Sequence, residues 1–290
     1  MNTDINDILF PYKTCVEKAI LERIQSWNES TDLKKASEYA VLNGGKRFRP
    51  ALVIMVAEAL KKKHSVIEAA MAIEFFHTAS LIADDLPSMD NDEYRRGQPT
   101  THKVFGEATA ILATYVLIAA GYDSIARNSR LVPNGNQIAV LAVENVAFNA
   151  GLKGAAGGQF LDIYPPNLTL DTLKEVIRKK TVSLFEIAFV QGWLFGGGDL
   201  EKLSFVKKGA DHFGMAFQIA DDFGDVDQDI VNQRQINMVT LVGREQAEEM
   251  FHVELESYRE TMRSLKLDSP ELMMLANLLE NQVLINQNFA

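Results

Sequence analysis

Two short acidic segments constrain the fold of this chain most strongly. Each begins with two adjacent aspartates at the end of an apolar stretch: Asp84 and Asp85 in IADDLPSMDND, and Asp221 and Asp222 in FQIADDFGDVD. Uncompensated carboxylates beside apolar sequence are costly unless cations gather there. We therefore expect a fold that brings the two segments together at one cation-binding end.

Both segments offer oxygen ligands and contain no His or Cys. Such clusters favour a hard cation, and Mg²⁺ is commonly held by a few carboxylates together with a phosphate. A diphosphate is therefore the expected guest. One Asp-rich stretch alone is as often a solvated turn, but the Ala-Asp-Asp opening occurs twice. The predicted metal-binding residues are Asp84, Asp85, Asp90, Asp221, Asp222 and Asp225.

Basic residues that could hold a polyanion are also grouped. The segment GGKRFRP places Lys46, Arg47 and Arg49 beside two glycines, and Arg95 and Arg96 follow the first acidic segment. Arginine matches phosphate oxygens with a planar fork, whereas lysine offers a point charge. Alone, GGKRFRP would be read as a helix start with solvated charges, but the two acidic segments favour a phosphate site.

Composition narrows the class of protein. A chain of 290 residues with 47% hydrophobic content and no low-complexity linker is expected to form a single domain, residues 1–290. The formal net charge of -10 argues against nucleic acid as a partner.

The single cysteine, Cys15, favours a reducing compartment, and the N-terminal residues resemble neither a signal nor a transit peptide, so we expect a cytoplasmic protein. The apolar stretch 108–121 is too short for a membrane span and is expected to be a buried helix.

Helical periodicity dominates the sequence, and strand-like alternation is scarce. Val16, Ile20, Ile24 and Trp27 have helical spacing, and the pattern elsewhere is interrupted near 132–136, 165–167 and 196–199. The pattern predicts an all-α bundle of about ten helices around a deep central cavity. Ser65 is the expected N-cap of a helix that runs to Asp85 and is ended by Leu86 and Pro87.

Spacing within these helices places further polar residues near the aspartates. His77 and Asp84 are seven residues apart, two turns on one face, with Ser80 between them. Asp221 and Asp225 share a face four residues apart, with Gln218 one turn below them. Asp90 lies beyond Pro87 and must return from a loop to reach the same ion.

Five motifs in order resemble the trans-isoprenyl (polyprenyl) diphosphate synthases. They are GGKRFRP, FFHTASLIADDLPSMDNDEYRRG, GGQFLD at 157–162, KKT at 179–181 and FQIADDFGD, and they span about residues 40–225. The resemblance is greatest to the short-chain bacterial and plastid type, the farnesyl and geranylgeranyl diphosphate synthases. Their first aspartate motif has two extra residues between its second and third Asp. Here the four residues 86–89 separate Asp85 from Asp90.

The resemblance implies an isoprenoid-synthase-type bundle, a homodimer, and Mg²⁺-dependent head-to-tail condensation of isopentenyl diphosphate with allylic diphosphates. It assigns the allylic substrate to Arg95, Lys180, Thr181 and Gln218. It assigns isopentenyl diphosphate to Lys46, Arg49, His77 and Arg96. The residues expected to contribute most directly to catalysis are Lys180, Thr181, Gln218, Asp84, Asp85 and Asp221.

Product length is expected to depend on Ala79 and Ser80. In the resembling family a large aromatic at the position of Ala79 blocks the prenyl chain after the farnesyl length, so Ala79 implies geranylgeranyl diphosphate rather than farnesyl diphosphate. The alternative is that these two small residues only allow close helix packing.

The sequence departs from the family after the second aspartate motif. The segment 226–243 is shorter than the usual lysine-bearing loop, and Gln235 stands near the position of the last lysine, with Arg234 as a partial substitute. This leaves open a weakly active or regulatory subunit of a heteromeric synthase. A class I terpene cyclase is the other alternative, although such enzymes usually lack both GGKRxRP and a second aspartate motif.

Overall fold

The computed structural model describes residues 5–231 and 237–287, with the side chains of 7–226 and 237–285. Over this part the chain forms fourteen α-helices, a π-helical turn (Arg178–Val182), a 3₁₀ turn (Leu200–Lys202) and a hairpin of two-residue strands, β1 (Tyr94–Arg95) and β2 (Gln98–Pro99). The helices are α1 (Ile5–Gln25), α2 (Asp32–Leu42), α3 (Phe48–Ala59), α4 (Ile67–Asp84), α5 (Thr101–Phe105), α6 (Glu107–Ser129), α7 (Gly135–Ala150), α8 (Ala155–Ile163), α9 (Leu170–Ile177), α10 (Ser183–Phe195), α11 (Leu203–Val231), α12 (Met238–Val242), α13 (Arg244–Leu265) and α14 (Pro270–Gln287).

The all-α prediction is confirmed, but the expected number of about ten helices is too low. Two of the additional helices, α5 and α12, are only five residues long. Each ends at a glycine with positive φ, Gly106 and Gly243, and the next long helix starts directly after it. Only glycine adopts this conformation without a steric penalty, so one residue ends a short helix and begins a long one. The assignment of residues 1–290 to one domain stays a prediction.

Helix α10 is the centre of the bundle. All of its residues except Glu186 are buried, and it packs against α3, α4, α7 and α11. A helix that is apolar all round belongs in the interior of a bundle. Gly192 and Gly196 let α3 approach closely, because an added Cβ at either position would meet the backbone of α3.

The start of α4 differs from the sequence prediction. The helix begins at Ile67 behind Val66, and neither Val66 nor Ser65 provides a side-chain cap, so the prediction of Ser65 as N-cap is wrong. Instead, the Ala69 N–H donates to Asn128 Oδ1 at 3.0 Å, and Asn128 Nδ2 donates to the Ser65 carbonyl at 3.0 Å. A side chain from the end of α6 therefore satisfies the first turn of α4, a long-range cap that sequence spacing cannot reveal.

Helix α6 is not the fully buried helix that the sequence predicted. Ile111, Leu112, Tyr115 and Ile118 are exposed along one side, while the opposite side packs on α4. Among the described residues, α6 is the one helix whose length and apolar composition would also suit a membrane span. That test is weak, because core helices of soluble proteins pass it too, and α6 carries an outward-facing apolar stripe.

Arg47 points into the core rather than toward a phosphate site. Its Nη1 donates to Glu74 Oε1 at 2.5 Å and its Nη2 to the Val41 carbonyl at 2.6 Å. The Arg47 and Glu74 side chains are 1% and 3% exposed. Grouping Arg47 with Lys46 and Arg49 as a phosphate ligand is therefore wrong, because Arg47 adopts a left-handed conformation (φ 53°) before α3 that turns its side chain inward.

We expect Glu74→Ala to lower the free energy of unfolding by about 3–5 kcal/mol, because it removes the buried carboxylate that pairs with Arg47 and leaves that charge only the more exposed Glu17, 3.3 Å from Arg47 Nε. Urea unfolding followed by circular dichroism measures this change. Asp32→Ala is the control, since it breaks the exposed Asp32–Lys35 pair and should cost less than about 1 kcal/mol. Equal small losses in both variants would contradict a structural role for the buried pair.

Candidate active site

The first aspartate cluster lies where α4 ends. Asp84 is the last residue of the helix and Asp85 its C-cap, and the helix stops before Pro87 as predicted. The chain then folds back, because the Asp90 N–H donates to the Asp84 carbonyl at 2.9 Å. Asp90 thus returns beside Asp84, as its place in the motif required.

The adjacent aspartates Asp84 and Asp85 have different surroundings. Asp84 is half-buried, and burial raises its pKa to about 6, with Lys180 opposing and Asp90 adding to the shift. Asp85 is 4% exposed and accepts a hydrogen bond from Arg95 Nε at 2.5 Å. Arg95 also binds Asp92 at 3.0 Å, so its guanidinium is fixed between two carboxylates.

The second cluster, on α11, is divided in the same way. Asp221 and Asp225 are exposed, whereas Asp222 is 6% exposed. Asp222 Oδ1 accepts from Gln218 Nε2 at 2.8 Å, and its Oδ2 accepts from the Met238 N–H at 2.7 Å. Asp222 therefore joins α11 to the start of α12.

A π-helical turn positions Lys180 and Thr181 between the clusters. Thr181 Oγ1 donates to Gln218 Oε1 at 2.8 Å, and Lys180 Nζ forms an ion pair with Asp162 on α8. Helix α8 can lie this close because Gly158 has no Cβ that would meet the Lys180 backbone nitrogen. Because Lys180 also acts on Asp84, this turn connects the end of α4 with α11. We call this end of the bundle, with Asp84, Asp221 and Thr181, the mouth.

Arg49 and His77 form a second polar group at the mouth. Arg49 Nη1 lies 3.4 Å from His77 Nε2, and the Arg49 guanidinium stacks 4.6 Å from the Phe185 ring centroid. Burial, followed by the nearby arginines, lowers the pKa of His77 well below its usual value, so the imidazole is neutral. Burial lowers the pKa of Arg49 to about 10, which keeps it charged at neutral pH. Among the described atoms, Arg49 Nε and His77 Nδ1 are buried without a hydrogen-bond partner.

The other two predicted isopentenyl diphosphate ligands, Lys46 and Arg96, are exposed at the same end. Arg96 Nη1 donates to the Gly44 carbonyl at 2.7 Å. An added Cβ at Gly45 would lie 2.5 Å from the Arg96 guanidinium, so the glycine pair of GGKRFRP makes room for this arginine.

In residues 5–231 and 237–287, no three Asp, Glu, His or Cys side chains converge closely enough to form a complete metal site. The buried member of each adjacent pair already has protein partners, Arg95 for Asp85 and Gln218 for Asp222. The remaining donors still suit Mg²⁺, which usually takes one or two carboxylates and completes its shell with water and substrate phosphates.

Two residues of the GGQFLD motif, Gln159 and Asp162, have contacts at the site that the sequence pattern did not predict. Gln159 Nε2 lies 3.4 Å from Asp90 Oδ1, and its buried Oε1 has no partner among the described residues. Asp162 holds Lys180. Their i, i+3 spacing on α8 is the signal that could have identified them as one polar face.

Below the mouth, helices α4 and α10 pack on each other through mainly apolar side chains, a zone that we call the shaft, and the deep central cavity expected there stays a prediction. Ser80 and His77 are half-buried on its upper wall, while Ala79 is 3% exposed. One turn deeper, the Phe76 ring packs edge to face on Tyr122 with centroids 5.1 Å apart. It rests on Gly121 of α6, where an added Cβ would come within 2.6 Å of the ring.

Known proteins resemble this chain in sequence and in fold. The chain is 40% identical over 228 residues to a farnesyl diphosphate synthase of Geobacillus stearothermophilus, covering 77% of this chain and 76% of the relative. It is 39% identical over 203 residues to geranylgeranyl pyrophosphate synthase 4 of Arabidopsis thaliana, covering 68% and 54%. The crystal structure of a geranyltransferase from Legionella pneumophila superposes with a TM-score of 0.85 at 28% identity, covering 96% and 97%.

The family profile for polyprenyl synthetase matches residues 30–236, a span that contains all five sequence motifs and both aspartate clusters. The match therefore covers the mouth and the upper shaft as well as the helices that support them. This chain belongs to the polyprenyl synthetase family.

Proposed function

We propose that this protein is a prenyltransferase that condenses isopentenyl diphosphate with allylic diphosphates head to tail. The observation that carries the proposal is the mouth itself, where Lys180 and Arg95 lie beside the first carboxylate cluster and Arg49 is within electrostatic reach of Asp221 in the second, at the end of the apolar helices α4 and α10. This combination suits two diphosphates and one apolar tail. The relatives named farnesyl and geranylgeranyl synthases support the same chemistry.

Ionisation of an allylic diphosphate separates a carbocation from a diphosphate. Mg²⁺ is the proposed cofactor, and when bound it would neutralise charge on the departing diphosphate. Asp84, Asp90, Asp221 and Asp225 are the proposed direct ligands, with Asp85 and Asp222 acting through their partners or water. The burial that raises the pKa of Asp84 fits this role, because a half-buried carboxylate is stabilised in its charged form by a cation.

The allylic diphosphate is proposed to bind beside Lys180 and Arg95. Asp162 holds Lys180 in place, and Asp85 and Asp92 hold Arg95, so both cations are oriented before the substrate arrives. Such preorganised charge costs little reorganisation when negative charge develops on the leaving group. Thr181 and Gln218, already hydrogen-bonded to each other, are proposed to lie against the first carbons of the allylic substrate.

Isopentenyl diphosphate is proposed to bind at Arg49, His77, Lys46 and Arg96. A neutral His77 whose Nε2 accepts from Arg49 carries its proton on Nδ1, so His77 can donate to a phosphate oxygen. Arg49 Nε offers a second buried donor. The double bond of isopentenyl diphosphate then attacks the allylic cation, and the released diphosphate accepts the proton that is lost.

We propose geranylgeranyl diphosphate as the main product. Ala79 adds no bulk to the upper shaft, and the next large side chain on the same face of α4 is Phe76, three residues deeper. The two positions differ by about one helical turn, roughly 5 Å, which is close to the length of one isoprene unit. If an aromatic at position 79 stops growth at farnesyl, Phe76 would stop it one unit later.

The shortened segment after Asp225 was expected to weaken allylic binding. Gln235 and Arg234 lie outside the described residues, so this expectation stays a prediction. The cytoplasm is the proposed location, as a reducing compartment suits a chain whose single cysteine, Cys15, is free and exposed.

We also propose a homodimer that covers the outer face of α6. Tyr115 is 63% exposed on this face, beside Ile111, Leu112 and Ile118. A contiguous apolar stripe of this kind marks a protein interface more often than free surface. A second copy of the chain would supply an identical stripe, as a twofold interface requires.

The activity is tested by incubating the purified protein with Mg²⁺, isopentenyl diphosphate and each allylic primer, and then sizing the products. Asp84→Asn and Asp221→Asn should each lower kcat on the order of 100-fold or more, because each removes negative charge where cations must gather. Asp268→Asn, at an exposed aspartate on the α13–α14 loop, is the matched control. Turnover without added divalent cation, or full activity in both variants, would refute the proposed chemistry.

Product length is tested at position 79. Ala79→Tyr should fill the upper shaft and make farnesyl diphosphate the main product, at a packing cost of about 1–3 kcal/mol. Ala79→Gly adds no bulk and should leave the product unchanged. Chromatography of the dephosphorylated products decides between them. Farnesyl diphosphate from the unaltered protein, or an unchanged product from a folded, active Ala79→Tyr, would place the stop elsewhere.

Assembly is tested by light scattering after size exclusion. Tyr115→Glu should convert the dimer to a monomer, because it places a charge at the centre of the apolar face. Val253→Glu changes an equally exposed apolar residue on α13 and should leave the dimer intact. A monomeric unaltered protein at micromolar concentration would contradict this arrangement.

A further inference from the structure

The Asp90 carboxylate is held differently from its neighbours Asp85 and Asp92. Those two accept hydrogen bonds from the charged Arg95 guanidinium. Asp90 is exposed on the loop that returns to α4, and among the described residues its carboxylate has one side-chain partner, Gln159, whose Nε2 lies 3.4 Å from Asp90 Oδ1. An amide N–H orients a carboxylate without cancelling its charge, whereas an arginine would compete with a cation. The charge of Asp90 thus stays available to a metal.

Burial of the Gln159 amide is not explained by packing alone. The residue is 7% exposed, and its Oε1 has no hydrogen-bond partner among the described atoms. Buried amide groups are nearly always paired, so an unpaired oxygen requires an explanation. A leucine would fill similar space without a polar atom, but it could not donate to Asp90. Turning the amide over would bring Oε1 against the Asp90 carboxylate, where two acceptors repel each other. The arrangement therefore preserves one contact, the donor toward Asp90.

Helix α8 fixes the position of Gln159 relative to the mouth. Gly158 packs so closely on the π-helical turn that an added Cβ would overlap the Lys180 backbone nitrogen. One turn further along α8, Asp162 pairs with Lys180 Nζ. Gln159 lies between these two anchors, and its amide extends to the loop that follows α4. The loop fixes the Asp90 backbone through a hydrogen bond from its N–H to the end of α4, and Gln159 adds a contact to the side chain.

We propose that Gln159 is a positioning residue that holds the Asp90 carboxylate in the orientation that binds Mg²⁺ together with the substrate diphosphate. This inference rests on the proposed prenyltransferase activity and adds a residue that acts through Asp90 rather than on the substrate. An exposed carboxylate on a loop loses rotamer freedom when it binds a cation, and a preset orientation reduces that loss. Gln159 should therefore raise the affinity for the cation without contacting it.

The inference is tested by cation binding without turnover. Mn²⁺ is titrated into the protein with inorganic diphosphate present, and electron paramagnetic resonance measures free Mn²⁺, with a protein-free titration to correct for Mn²⁺ bound by diphosphate alone. Gln159→Leu should raise the Kd of Mn²⁺ about 10-fold, the lower end of the effect of residues that orient metal ligands. Its Tm without metal should stay equal or rise, because the variant removes a buried oxygen that has no described partner. A lower Tm with unchanged Mn²⁺ affinity would show a structural role only and would overturn the proposal.

Gln191→Leu is the matched control. Gln191 is another buried glutamine, 0% exposed in α10, and neither polar atom of its amide has a partner in the described part of the chain. The same substitution there should raise the Tm and leave Mn²⁺ affinity unchanged. An equal loss of Mn²⁺ affinity in both variants would show a general effect of replacing a buried amide and would count against Gln159.

A double-mutant cycle determines whether Gln159 acts through Asp90. Asp90→Asn keeps the size of the side chain and removes its charge. In that background Gln159→Leu should change the Kd of Mn²⁺ by less than about twofold, because the carboxylate that it positions is gone. A 10-fold loss in both backgrounds would overturn the assignment. Should Gln159→Leu not fold, Gln159→Asn, shorter by one methylene, withdraws the donor and must weaken Mn²⁺ binding in the same direction.

Turnover separates this inference from the activity on which it depends. If the unaltered protein forms no prenyl diphosphate, the proposed function fails, whereas the Mn²⁺ titration still decides the role of Gln159. If it forms product, the Mg²⁺ concentration for half-maximal rate should rise about 10-fold in Gln159→Leu. The KM for isopentenyl diphosphate should stay the same, since Arg49 and His77 are unaltered. An unchanged Mg²⁺ requirement in an active Gln159→Leu would remove Gln159 from the site and leave the activity intact.

Discussion

The hydrogen-bonded series Thr181, Gln218 and Asp222 holds the mouth together. It runs from the π-helical turn through α11 to the Met238 N–H at the start of α12, so three separate segments share one polar connection. Each member is partly or fully buried, where unpaired groups are costly. The position of Lys180, and with it the charge beside Asp84, depends on this series, because Lys180 occupies the same turn as Thr181.

The division of labour between adjacent aspartates follows from helix geometry. Neighbouring residues in a helix point about 100° apart, so Asp84 and Asp85 face different directions, as do Asp221 and Asp222. In both clusters one carboxylate faces the mouth and the other is buried with protein donors. The Asp-Asp pair thus combines a proposed metal ligand with a residue that is hydrogen-bonded to neighbouring protein groups.

Sequence patterns predicted the helical class, both aspartate clusters and the end of α4 at Pro87, because these depend on local periodicity and on the dihedral limits of proline. They failed where long-range contacts decide. Arg47 turns inward to Glu74, and Asn128 caps α4 in place of Ser65.

Gly121 is the point at which α6 contacts Phe76 inside the bundle, while the other side of α6 is exposed. The Phe76 ring sits against this glycine with no room for a methyl group, so the ring must follow any movement of α6. The opposite side of the same helix carries the exposed stripe with Tyr115. Since α6 is one continuous helix of 23 residues, a single helix diameter separates the Phe76 contact from the exposed stripe. The contact with Phe76, proposed to limit product length, and the proposed dimer surface thus lie on opposite sides of α6.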